Sequence, residues 1–103
     1  MLLVREVFHC KPGKVRPMVE KFLTMAKLNE RAGLPKFRVM TDLCGERYWT
    51  VVAEFEVANL QALEDMMAGK GISEELNKEY EKAMEGYHDL MLQGQRQIFK
   101  LEG

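Results

Sequence analysis

The stretches KFRVMTDL, residues 36–43, and RYWTVVAEFEV, residues 47–57, are separated only by Cys44, Gly45 and Glu46. In the second stretch Trp49, Val51, Ala53, Phe55 and Val57 alternate with Tyr48, Thr50, Val52, Glu54 and Glu56, the period-2 pattern of a strand with one strongly apolar face. The two stretches therefore read as a hairpin turning at residues 44–46. A lone two-stranded hairpin is at best marginally stable in water. The Trp49 face must be covered, and the only segments able to cover it are the amphipathic ones on either side. The hairpin thus dictates a sheet with helices packed on one surface.

Toward the N-terminus, Leu2–Cys10 reads as a first strand, with Val4, Phe8 and Cys10 on one face, interrupted by Glu6. Lys11, Pro12 and Gly13 end it. Pro17 suits a helix first turn, where its missing N–H forfeits no intrahelical bond. Val15, Met18, Val19, Phe22, Met25 and Ala26 then share one stripe at helical spacing, opposite Arg16, Glu20, Lys21, Lys27 and Glu30. Gly33 closes this helix and Pro35 prevents its resumption.

Toward the C-terminus, Asn59 is a candidate N-cap for a short helix carrying Leu60, Leu63, Met66 and Met67, broken at Gly69 and Gly71. Ser73 caps the next one, and Glu74 and Glu75 suit its positive end. Leu76, Tyr80, Ala83, Met84, Tyr87 and Met91 predict a helix of about five turns ending near Gly94. Residues 95–101 read as a last strand with Phe99 and Leu101 on the core side.

The element order predicts an α+β domain spanning residues 1–103: a ferredoxin-like antiparallel four-stranded sheet in the order 4-1-3-2, with helices on one face. The other face would carry Arg5, Val7, His9, Arg38, Met40, Tyr48, Thr50, Val52, Glu54 and Glu56, too apolar to be left bare and too charged for a dry core. Packing against the same face of a second copy would pair arginines with glutamates and shelter the valines. Arg5, Val7, Arg38, Val52 and Glu54 are accordingly expected in an isologous homodimer interface.

Composition bounds the function. The chain has 103 residues, 47% hydrophobic and 30% charged, which excludes a disordered class. The opening Met1, Leu2, Leu3, Val4 meets Arg5 and Glu6 at once, too short a run for a signal peptide or membrane span, so a cytoplasmic protein is expected. Residues 1–51 carry 10 Lys or Arg against 5 Asp or Glu, and residues 52–103 carry 5 against 11, giving +5 and −6. This asymmetry reads as two halves that neutralise each other. The net charge of −1, with no recognisable binding motif, argues against a nucleic-acid partner. Cys10 and Cys44 form neither a disulfide framework nor a paired metal motif, and no metal is expected.

Among polar residues, Glu6 stands out. Unless a bulge turns it outward or an arginine pairs with it, it lies among Val4, Phe8 and the helix stripe, where an acid acquires the raised proton affinity of a general base. No Gly-rich phosphate loop, nucleophile elbow or paired catalytic acid is present.

The opening strand running into Lys11-Pro12-Gly13-Lys14, the Arg47-Tyr48-Trp49-Thr50-Val51-Val52 strand and the closing Gly94-Gln95-Arg96-Gln97-Ile98 segment together resemble the dimeric α/β-barrel superfamily. That superfamily includes antibiotic-biosynthesis-type and haem-degrading monooxygenases, stress-responsive barrel proteins and NIPSNAP-like proteins. The resemblance covers essentially the whole chain and implies a dimeric barrel, but not one activity. For haem-degrading members it implies a helix histidine as iron ligand, with a sheet tryptophan and asparagine. His88 and Trp49 are available, yet Arg5 and Glu6 stand where the asparagine is wanted, which disfavours haem, and no cofactor is expected. For cofactor-independent oxygenases, Trp49 and Tyr48 match in type only, since adjacent strand residues point to opposite faces.

Two functions follow from the resemblance. One is a small monooxygenase or isomerase acting on an apolar or aromatic molecule between sheet and helices, with Glu6 or His88 in proton transfer and Trp49, Phe55, Met66 and Tyr87 as walls. The other is a non-catalytic dimer that binds a ligand or a protein partner, with eight methionines as an adaptable lining. A cavity opening beside Glu6 favours the first; a filled core favours the second.

Overall fold

All 103 residues are described in a computed structural model of the chain. The central strand β1 (Leu2–Cys10) is followed by helix α1 (Val15–Ala32), strands β2 (Arg38–Thr41) and β3 (Thr50–Val57), helices α2 (Leu60–Met67) and α3 (Glu74–Ala83), a 3₁₀ turn at Tyr87–Leu90, and strand β4 (Met91–Lys100). The sheet order is β2-β3-β1-β4 and every pairing is antiparallel, so the first and third strands are central as the sequence predicts. The helices cover one face. The molecule is a slab of 37 × 37 × 18 Å.

The expected local signals form the helices. Gly33 ends α1 in the left-handed conformation, with φ 71°. Asn59 and Ser73 cap α2 and α3 by accepting hydrogen bonds from the Ala62 and Leu76 N–H groups. From α1, Met18, Val19 and Phe22 pack on Cys10, Val51 and Ala53 of the sheet. Leu63 of α2 packs in a second cluster with Val4, Phe55 and Val57. Each such side chain contributes about 1.5–3 kcal/mol when fully buried.

Three elements differ from expectation. β3 begins at Thr50, and Trp49 lies in the preceding loop with φ 63°, 44% exposed, rather than in the core. Its carbonyl accepts the Cys10 N–H at 2.8 Å, while Asp42 Oδ1 takes the Thr50 N–H at 2.8 Å. These two bonds close the loop and turn Trp49 out of strand alternation.

The last helix ends at Ala83, and Gly86 at φ 77° introduces the 3₁₀ turn. Tyr87 and Met91 still reach the core, but from a turn and a strand, which is why the helical stripe continues past the end of the helix. The third difference follows from the register of β4. Leu3 faces Phe99, so Phe99 lies on the open face beneath Arg5, whose guanidinium carbon stands 5.1 Å from the ring centre. Leu101 lies beyond the strand.

On the open face, Arg38, Glu54 and Arg5 occupy one cross-strand row. Arg5 Nε donates to Glu54 Oε2 at 2.5 Å and Arg38 Nη2 to Oε1 at 3.0 Å. Both arginines thus meet a glutamate of their own chain. The next row, Met40, Val52 and Val7, is apolar.

Candidate functional site

A cavity of about 600 Å³ opens between the sheet and the three helices. Glu6, Phe8, Ala53, Phe55 and Arg96 form its sheet wall, Phe22, Met25 and Asn29 its α1 wall, and Met66, Asn77, Tyr80, Met84 and Tyr87 much of the opposite side. Fourteen of its 20 lining residues are hydrophobic, so a ligand would be held chiefly by apolar contact.

Glu6 faces this space because the irregularity in the β1–β4 pairing falls later, between His9 and Cys10, and leaves the alternation intact at position 6. Arg96 is its direct cross-strand partner, and Nε donates to Glu6 Oε1 at 2.5 Å. The Glu6 side chain is 16% exposed and that of Arg96 42%. Arg96 is thus the pairing arginine that the sequence left open as the alternative to an unpaired general base, and its charge-assisted bond offsets the cost of holding the acid on an apolar wall. The other carboxylate oxygen has no partner within the chain.

A second polar group occupies the helix side. Tyr80 Oη donates to Asn29 Oδ1 at 2.5 Å, and Asn29 Nδ2 donates to the Pro35 carbonyl at 3.1 Å. Burial pushes the Tyr80 phenol above its usual range and keeps it protonated at neutral pH. Burial also raises the thiol of Cys10, which packs in the core outside the cavity lining.

Of the residues singled out in the sequence, Glu6, Phe55, Met66 and Tyr87 come together around the cavity. Trp49 and His88 do not. Trp49 is displaced by the left-handed loop, and His88 sits exposed in the 3₁₀ turn with its ring 3.9 Å from that of Tyr87. His9 lies on the other face beside Thr50, so no histidine lines the cavity to serve as an axial ligand. No three His, Cys, Asp or Glu side chains cluster to hold a metal ion.

The sequence places Tyr80 only on an apolar stripe and Arg96 only in the closing segment, and Asn29 is not singled out. Asn29 carried a signal: it falls at positions i+3, i+4 and i+7 from Ala26, Met25 and Phe22, a polar residue on an apolar stripe. Arg96 becomes visible as the partner of Glu6 only when the register of β4 is known.

The architecture has clear counterparts among solved structures. An uncharacterised NIPSNAP domain protein from Burkholderia xenovorans superposes with a TM-score of 0.76 at 11% identity, covering 100% of this chain and 96% of that one. The chain has a ferredoxin-like fold of this kind. A candidate antibiotic biosynthesis monooxygenase from Nitrosomonas europaea matches over 100% of both chains, with TM-score 0.69 and 12% identity. An antibiotic biosynthesis monooxygenase matches over the same full lengths, with TM-score 0.70 and 13% identity. No family model and no curated protein matches the sequence. At these identities the likeness is one of fold, and the ferredoxin-like frame leaves chemistry to the side chains set into it. No helix is long and apolar enough to cross a membrane.

Proposed function

We propose that the chain binds a small apolar or aromatic molecule in the cavity between sheet and helices, and that the Glu6 carboxylate oxygen left free by Arg96 accepts a proton from it. Proton abstraction of this kind would serve an isomerase or a cofactor-independent monooxygenase, and a structural neighbour is named an antibiotic biosynthesis monooxygenase. The observation that carries the reading is the cavity of about 600 Å³ beside Glu6, where a filled core would have argued against it. Aromatic fragments should shift the NMR signals of Phe8, Met66 and Tyr87, and Met66→Trp, which narrows the space, should weaken binding as read from Phe8 and Tyr87. Fragment affinity unchanged in Met66→Trp would place binding elsewhere.

The Glu6–Arg96 pair supports a second reading, a non-catalytic binder, because one carboxylate oxygen is already engaged. Glu6→Gln separates the two: an enzyme keeps binding and loses turnover, whereas a binder has no turnover to lose.

The homodimer belongs to the same proposal. Only 13 of 103 residues are buried in the single chain, and the open sheet face leaves Phe99 and Met40 43% and 37% exposed. The row Arg38–Glu54–Arg5 keeps one net positive charge and the exposed Glu56 on the same face one negative, so an isologous contact would have to set these opposite charges together.

A further inference from the structure

The hydrogens of the Tyr80–Asn29 pair follow from the acceptors around it. Asn29 Nδ2 must be the atom that meets the Pro35 carbonyl, since the reverse orientation would set two acceptors against each other. That fixes Oδ1 toward Tyr80, and an amide oxygen only accepts, so the phenol proton is committed to Asn29. What Tyr80 has left for the cavity is a lone pair. The free oxygen of Glu6 on the opposite wall is likewise an acceptor. The donors of Arg96 lie on a half-exposed side chain, where water competes for them, and the amide donor of Asn77 lies one turn before Tyr80, so the discrimination is made on a ligand atom seated against Tyr80 itself.

We infer that Tyr80, oriented by Asn29, is a specificity-determining residue that selects apolar ligands carrying a hydroxyl or amine hydrogen-bond donor over isosteres that only accept. The inference rests on the cavity being the ligand site proposed above. An ether or ketone placed against Tyr80 would set acceptor against acceptor, and Tyr80 could not turn its proton to meet it without abandoning Asn29 Oδ1. The penalty for such a mismatch exceeds the value of the bond itself, because both acceptors are left unpaired away from water. Asn29, 6% exposed and tied to the chain at Pro35, is the positioning residue.

The test compares 2-naphthol, 2-methoxynaphthalene and naphthalene by equilibrium binding to the full chain. The wild type should bind the naphthol about tenfold tighter than the methyl ether. In Asn29→Ala the freed phenol can donate or accept, so the gap should narrow chiefly through tighter binding of the ether. In the double variant Asn29→Ala/Tyr80→Phe the contribution of this pair to the gap should vanish, while retained naphthalene binding reports an intact cavity. Equal binding of naphthol and ether by the wild type would overturn the selectivity. A gap unchanged in the double variant would assign the discrimination to another group, such as Glu6. Failure of all three probes to bind the wild type would instead remove the cavity reading itself. If the double variant does not fold, the wild-type comparison and Asn29→Ala still decide.

Discussion

Glu54 projects from the open face of the sheet, yet its side chain is only 8% exposed, because Arg5 and Arg38 close over it. Removing the carboxylate leaves two guanidinium groups facing each other without a counter-charge. Their own side chains are 35% and 74% exposed, so water screens part of the loss. Glu54→Ala should therefore lower the stability read from urea unfolding by about 1–2 kcal/mol, less than the cost of breaking a fully buried pair. His9, on the same face, gives a pH dependence. Burial and, next, the Arg47 charge lower its pKa below 6.5, with Glu46 opposing. The unfolded chain then binds the proton more readily, so this contribution is present above pH 6.5 and is lost as pH falls through the lower folded value. Between about pH 7.5 and about pH 5.5 the wild type should lose more stability in urea than His9→Gln. The faces of Glu54 and Glu6 were legible from alternation alone. The proton commitment of Tyr80 was not, because it depends on Asn29 and Pro35, 51 and 45 residues away, and no local pattern encodes it.

The strands and helices were legible where a period and a cap agreed, as in α1 with its stripe and Gly33. They were misplaced where a period outlived its element. Trp49 fits the alternation of β3 by type, but loop closure through Cys10 and Asp42 puts it in the left-handed region, which costs a non-glycine residue roughly 1–2 kcal/mol. Glycine would relieve that cost while giving up partial contacts and adding chain freedom. Trp49→Gly should change stability by less than about 1 kcal/mol, against about 3–5 kcal/mol for truncation of a core tryptophan. A large loss in thermal or urea unfolding would return Trp49 to the core. Gly94 shows the opposite error, since a glycine taken as a helix stop lies inside β4. It is the direct neighbour of Phe8, and an added Cβ would stand 2.9 Å from the Phe8 ring and from Met91 Cε. Met91 meets it with the end of a flexible side chain. Phe8, packed at 5.2 Å from Phe22 and 6.3 Å from Tyr87, does not, so Gly94→Ala should destabilise by about 1–3 kcal/mol.

For the whole molecule, the sheet order followed from the length and spacing of the elements, whereas the cavity did not, because a gap among apolar residues has the same sequence as a filled core. The slab also leaves one broad face without a covering layer. Along it the ion-paired row Arg38–Glu54–Arg5 lies beside the apolar row Met40–Val52–Val7, and Phe99 lies under Arg5. A second copy related by a two-fold axis would bury both rows, the surplus positive charge of one copy's arginines being met by the other's Glu56. Sedimentation should accordingly give a dimer at micromolar concentration, and a monomer there would exclude the arrangement. Val52 is the sharper probe. It lies at the middle of the apolar row, between Val7 and Met40, so Val52→Asp places a carboxylate at each dry contact one row from Glu54, with both arginines already engaged. In the dimer that charge sits in the apolar row away from solvent, and the association should weaken by on the order of 3 kcal/mol, over a hundredfold in dissociation constant. In the isolated chain the same side chain reaches water from the open face, so the monomer should remain folded by circular dichroism. A folded variant that stays dimeric at the wild-type concentration would show that the copies meet through another surface.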